Sequence, residues 1–97
     1  MPKLDLHGED VIRARIKIRD FINDNFVIGN LEIAIIHGVG KGIIKKEVLD
    51  MLKKDKRIEE YNIDCFNGGC TLARLRKEID KNEKIWYNTT QKLRGRD

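Results

Sequence analysis

The stretch 33–46, IAIIHGVGKGIIKK, constrains this chain more than any other. An apolar run, Ile33-Ala34-Ile35-Ile36, stops at His37. Gly38, Gly40 and Gly42 then alternate with Val39 and Lys41, and helical spacing begins at Ile43. A short β-branched run bounded by glycines reads as a buried strand, and the segment after it reads as a helix. The glycines between them let backbone N–H groups come close to a ligand. The N-terminus of the following helix adds unpaired N–H groups and the positive end of the dipole. Lys41, Lys45 and Lys46 add charge of the same sign. The expected ligand is an anion, most simply a phosphate.

The pattern is not one of the common nucleotide loops. A Walker loop needs GxxxxGK followed by Ser or Thr, and here Lys41 precedes Gly42 with Ile43 after it. The dinucleotide fingerprint needs GxGxxG, and here the third glycine comes one residue early. A strand-to-helix turn that binds nothing is the plain alternative. Three alternating glycines beside His37 weigh against it.

Elsewhere the chain reads in order as strand, helix, strand, helix, strand, strand. From Leu4 the N-terminus alternates, so Leu4 and Leu6 face one way while Asp5 and His7 face the other. Residues 9–25 read as a helix with a stripe of Val11, Ala14, Ile18, Phe21, Ile22 and Asn25, widened by Ile12 and Ile16. Glu9 and Asp10 are expected in its first turn, where the dipole favours negative charge. Arg13, Arg15, Lys17 and Arg19 fall mostly off the stripe and read as a solvated face. Strand 31–36 follows, then helix 43–54 with Ile44, Val48, Met51 and Leu52 as its stripe. Two strands joined through a helix are expected to be parallel. Parallel neighbours bring His7 and His37 to one edge of the sheet, where open α/β sheets bind ligands. Residues 61–66 alternate as a third strand, and Asn67-Gly68 is a hairpin signal. A two-residue turn there sets Cys65 opposite Cys70 at the start of a fourth, antiparallel strand, 70–75.

Composition bounds the rest. The chain has 97 residues, enough for one domain. It is 40% hydrophobic, against general disorder, and no apolar run approaches a membrane span. The N-terminus lacks the apolar core of a secretory leader, so a cytoplasmic protein is expected, with both cysteines reduced. The net charge of +4 suits a polyanionic partner. Residues 76–97 contain seven basic and four acidic side chains around Trp86 and Tyr87. Residues 1–76 are expected to form the domain and 77–97 a charged extension, helical or partly disordered.

Two linked segments resemble a known family. Leu4-Asp5-Leu6-His7-Gly8 resembles the LDLHG motif of the Smr (small MutS-related) domain. Residues 35–42, IIHGVGKG, resemble its IIHGxGxG motif, and Gly68-Gly69 before Thr71-Leu72-Ala73-Arg74-Leu75 resembles its closing glycines and last strand. The resemblance covers residues 4–75. It implies an α/β two-layer sandwich of order β-α-β-α-β-β with a mixed four-stranded sheet, similar to the C-terminal domain of the third bacterial translation initiation factor. It also implies nicking endonuclease activity on DNA, with some relatives acting on RNA, including messages on stalled ribosomes. Cleavage carries over to Asp5 and His7, and nucleic-acid backbone contact to His37, Gly38, Gly40 and Gly42. The sequence departs from the family at Val39, where Lys or Arg is frequent, and at Cys70, where the closing GGxGxT has lost a glycine.

Phosphodiester cleavage needs an activated nucleophile, stabilisation of negative charge and a protonated leaving group. Histidine transfers protons near neutral pH. The expected catalytic set is therefore Asp5, His7 and His37. The expected nucleic-acid contacts are Gly38, Gly40, Lys41, Gly42, Lys45, Lys46 and Gly69. Asp5 either orients a histidine or binds a divalent ion, magnesium or manganese. A zinc set of His7, His37, Cys65 and Cys70 matches no familiar spacing. Two other readings stay open: a DNA- or RNA-binding module without catalysis, in repair, recombination or ribosome rescue, and a protein-interaction appendage using Trp86.

Overall fold

In a computed structural model the described residues are 1–39, 42–64 and 68–77. The expectations for Gly40, Lys41, Cys65, the Asn67 turn position and the extension from residue 78 on lie outside them. The element order is β1 (Lys3–Asp5), α1 (Val11–Ile28), β2 (Glu32–Ile36), α2 (Ile43–Lys54), β3 (Ile58–Ile63) and β4 (Cys70–Leu75). The strands form one mixed sheet in the order β1-β2-β4-β3. β1 and β2 are parallel, with Leu4 opposite Ile35. β4 runs antiparallel to both β2 and β3. Sequence and structure agree on the two-layer α/β architecture.

α1 begins one residue after Asp10, whose carboxylate caps the helix by accepting from the Arg13 N–H at 2.8 Å. Glu9 and Asp10 therefore sit before the first turn rather than in it, and that turn holds no acid. A cap satisfies an orphan N–H directly, which places Asp10 at the boundary. The helix runs on past the expected residue 25 to Ile28. It ends at Gly29, in the left-handed region at φ 96°, with the Gly29 and Asn30 N–H groups both donating to the Asn25 carbonyl. Asn25 lies in the buried stripe because its amide is satisfied: Nδ2 donates to the Phe21 carbonyl and Oδ1 accepts from Asn30 Nδ2, both at 2.8 Å.

Ala14, Ile18 and Ile22 of α1, Val48 and Leu52 of α2, and Leu6, Ile33, Ile35, Ala73 and Leu75 of the sheet side form one core. Both helices thus occupy one layer against one face of the sheet. Arg15 of α1 reaches Glu47 of α2 through Nε and Nη2 at 2.7 and 3.3 Å, clamping the pair. Ile12 and Ile16 do not widen the core stripe: they are 69% and 46% exposed. With α2 on one flank and the sheet beneath, only a narrow strip of α1 is covered. The helix cations form a solvated face, as expected, and are matched by acids: Arg13 by Asp10, Lys17 by Glu9 and Arg19 by Asp20.

β3 lies about three residues earlier than its own alternation suggests. Its bounds follow from β4, which pairs Ile63 with Thr71 and, past an irregularity, Ile58 with Leu75. In this register Asp64 faces Cys70, with the Asp64 N–H donating to the Cys70 carbonyl at 3.0 Å. Cys70 is buried with a free thiol.

Candidate functional site

Two chain segments meet at the carboxyl ends of β1 and β2. The Leu6 N–H donates to the Ile36 carbonyl at 2.7 Å, extending the ladder just past β1. The chain then turns: the Glu9 N–H closes back on the Leu6 carbonyl at 3.0 Å, with Gly8 at φ 82° inside the turn. His7 is held at its crest and is largely exposed. On the adjacent strand His37 follows Ile36 directly. A Cβ placed on Gly38 would lie 3.7 Å from His7 Cβ, so the two segments run side by side with room for little more than a methyl group between them. His7, Gly8, His37, Gly38, Gly42 and Ile43 line a shared concavity of about 360 Å³.

The two imidazoles have different surroundings. His7 Nδ1 lies 3.2 Å from Asp5 Oδ1, which also accepts the His7 backbone N–H at 3.0 Å. Beside a carboxylate, Nδ1 carries the proton, leaving Nε2 as an acceptor. No described residue bonds to Nε2. The His7 backbone N–H, then its ring, hold the Asp5 carboxyl below its ordinary value. His37 is 6% exposed, and both of its nitrogens are occupied: Nδ1 is 3.1 Å from the Gly38 carbonyl and Nε2 is 2.8 Å from Thr71 Oγ1. A carbonyl only accepts, so Nδ1 donates to it, and Nε2 then accepts the Thr71 hydroxyl proton.

The wall behind His37 is backbone. The Gly69 carbonyl accepts from both the His37 and Gly38 N–H groups, at 2.8 and 3.0 Å. The Gly38 amide is thus committed within the protein. Gly69 is buried against Gly38. Gly42, in the left-handed region at φ 84°, is the N-cap of α2 and supplies no side-chain cap. The first intrahelical bond runs from the Lys46 N–H to the Gly42 carbonyl, so the Ile43, Ile44 and Lys45 amides precede the helical ladder. Gly42 and Lys45 also line a neighbouring hollow of about 290 Å³ with Gly38 and Gly68. Lys45 and Lys46 make no ion pair with a described residue. Sequence reasoning missed Thr71; the signal was its place on the core-facing side of β4, in line with Ala73 and Leu75.

For a metal, Asp5 offers Oδ2 alone, since Oδ1 serves His7. Among the described residues no three His, Cys, Asp or Glu side chains group closely enough to hold an ion. This donor set does not fit a fully protein-held metal centre.

The fold and this rim define a two-layer α/β domain with an Asp-x-His turn facing a glycine-lined helix N-terminus. The Smr domain sequence model matches residues 4–77, and the chain belongs to that family. Among curated proteins, Endonuclease MutS2 of Symbiobacterium thermophilum is 34% identical over 79 residues, 78% of this chain and 10% of that protein. Endonuclease MutS2 of Alkaliphilus metalliredigens is 30% identical over 67 residues, 69% of this chain and 8% of that protein. The chain therefore spans about a tenth of the length of these relatives. Among solved structures, the Smr domain of Thermus thermophilus MutS2 superposes with a TM-score of 0.74 at 25% identity, covering 78% of this chain and 99% of that one. YdaL, a stand-alone small MutS-related protein from Escherichia coli, shares the fold with a TM-score of 0.74 at 24% identity, covering 77% and 64%.

Proposed function

We propose that this domain binds nucleic acid through its phosphate backbone and nicks a phosphodiester bond. The observation that carries this reading is the Asp5–His7 pair, 3.2 Å apart beside the uncapped N-terminus of α2. Asp5, held ionised, fixes the His7 ring with Nδ1–H toward the carboxylate. Nε2 then takes a proton from an attacking water. The bond from phosphorus to the leaving oxygen breaks, and solvent protonates that oxygen. The α2 N-terminal amides with Lys45 and Lys46 receive the phosphate charge; Lys41 and Gly40 belong to the same expected contact surface. Gly38, His37 and Gly69 shape the wall against which the phosphate rests. The name of the MutS2 relatives supports a nuclease class. The substrate is DNA or RNA, the first matching a role in repair or recombination and the second a role in ribosome rescue. Asp5 Oδ2, the oxygen not engaged by His7, would be available to touch a magnesium or manganese ion carried in by substrate.

One observation favours a second reading, a binding module without catalysis. His37 is buried with both nitrogens occupied, which leaves His7 as the one exposed imidazole instead of an acid–base pair.

The deciding experiment is a cleavage panel of supercoiled plasmid, branched DNA and structured RNA, with and without divalent ions, for wild type, His7→Ala and Asp5→Ala. A general base contributes roughly 10²–10⁴-fold, so His7→Ala should fall by at least the lower figure while circular dichroism stays unchanged. Equal trace cleavage by all three proteins would refute the nuclease reading, and salt-sensitive binding without cleavage would leave the binding module.

A further inference from the structure

The only polar side chain on the core side of β4 is that of Thr71, which is fully buried. A hydroxyl in that position would be a liability without a partner. Its partner is His37, 34 residues away in sequence, at 2.8 Å. His37 in turn holds the Gly38 carbonyl, and Gly38 lines the same concavity as His7. Two hydrogen bonds therefore lead from the interior of β4 to the loop beside the exposed imidazole.

We propose that Thr71 is a positioning residue: the Gly38 carbonyl sets the His37 tautomer, and the Thr71 hydroxyl, donating to the remaining nitrogen, holds the ring in place and with it the His37–Gly38 wall beside which His7 works. The inference rests on the site reading above for its functional consequence, but not for its geometry. A hydroxyl donating to Nε2 requires the ring proton on Nδ1, the nitrogen that faces a carbonyl. Were the proton on Nε2, Nδ1 and the Gly38 carbonyl would meet as two acceptors, and the wall would keep only its two backbone bonds to the Gly69 carbonyl. The carbonyl thus selects the ring form, and the hydroxyl satisfies the other nitrogen and holds the ring. His37 is then a strut, which accounts for a buried imidazole at the edge of a concavity whose other histidine is exposed.

The test has two independent parts. Long-range proton–nitrogen NMR correlations of the unaltered chain, recorded where the His37 ring is neutral, should show its proton on Nδ1. A proton on Nε2 overturns the proposal, whatever happens to any variant. Thr71→Val, which keeps the shape and removes the hydroxyl, should move the His37 ring, Gly38 amide and His7 ring signals, and Thr71→Ser should return them. Unchanged Gly38 and His7 signals in folded Thr71→Val also overturn it. If Thr71→Val does not fold, the tautomer of the unaltered chain decides alone. In the cleavage assay, losing one hydrogen bond's worth of positioning should lower kcat about tenfold with KM nearly constant, and Thr71→Ser should recover most of it. If His7→Ala abolishes cleavage while folded Thr71→Val cleaves like wild type, Thr71 has no positioning role and the site reading survives. If His7→Ala cleaves like wild type, the nuclease reading fails, and the spectra still judge Thr71.

Discussion

Adding one methyl group at Gly69 should loosen the whole site edge. A Cβ built there lies 3.1 Å from the Gly38 carbonyl carbon and 3.2 Å from both Gly38 Cα and Val39 Cγ1. Two of these three atoms are backbone and cannot swing away. The Gly38 loop is moreover tied to residue 69 itself, since the His37 and Gly38 N–H groups both donate to its carbonyl. Gly69 is not in the left-handed region, so alanine meets a steric conflict there rather than a forbidden φ. Overpacking of this kind costs about 1–3 kcal/mol, and reduced freedom of the unfolded chain returns about 0.4–1 kcal/mol. From the midpoints of these ranges the net loss for Gly69→Ala is about 1.3 kcal/mol, or roughly 5–10 °C in Tm for a domain of this size. Gly68→Ala is the control: it sits next in sequence, yet a Cβ there meets no atom of the described residues within 4 Å. Thermal and urea unfolding followed by circular dichroism compare the two. If Gly69→Ala is as stable as Gly68→Ala, the closing glycine is not needed for close approach and the argument is wrong.

Other predictions follow from the same contacts. Ile18→Ala, at a fully buried position of α1, should cost about 2–5 kcal/mol, whereas Ile12→Ala, 69% exposed, should stay within about 0.5 kcal/mol; urea midpoints measure both. Burial opposes ionisation of Asp55, but hydrogen bonds from the Arg57 side chain and backbone outweigh it and hold the carboxyl below its ordinary value. A depressed folded value stabilises above the unfolded carboxylate value of about 3.9 and is lost as the pH falls below it through the folded one. Asp55→Asn should therefore flatten the acid limb of a stability–pH curve, and an unchanged limb would remove Asp55 from the account. If Lys45 and Lys46 each meet a phosphate, Lys45→Ala and Lys46→Ala should each reduce the log–log salt slope of duplex binding by about 0.9; an unchanged slope places the nucleic acid elsewhere.

Much of this architecture was legible in the chain because it is written locally. Alternation at Leu4–His7 put Leu6 in the core and Asp5 outside with His7. The stripe Ile44, Val48, Met51 and Leu52 gave α2 with its observed bounds. Parallel pairing of β1 and β2 followed from the intervening helix, and with it the meeting of His7 and His37. Local signals failed where a neighbour decides. The start of α1 went to Asp10 because its carboxylate found a free N–H. Ile12 and Ile16 fit the helical period yet face outward, since period says nothing about how wide a strip the rest of the protein covers.

The chain by itself determined which elements form, their order, and which two histidines share an edge, because periods of 2 and 3.6 residues and glycine breaks act within a few positions. Tertiary structure decided what each histidine is for. His7 keeps its nearest acid two residues away, but His37 takes its meaning from Thr71, 34 residues on, and from the Gly69 carbonyl. Tertiary structure also set the β3 register, through β4. The physical reason is the same in each case: a buried polar atom or an unpaired strand must find a partner, and which partner lies within 3 Å depends on how the whole sheet closes.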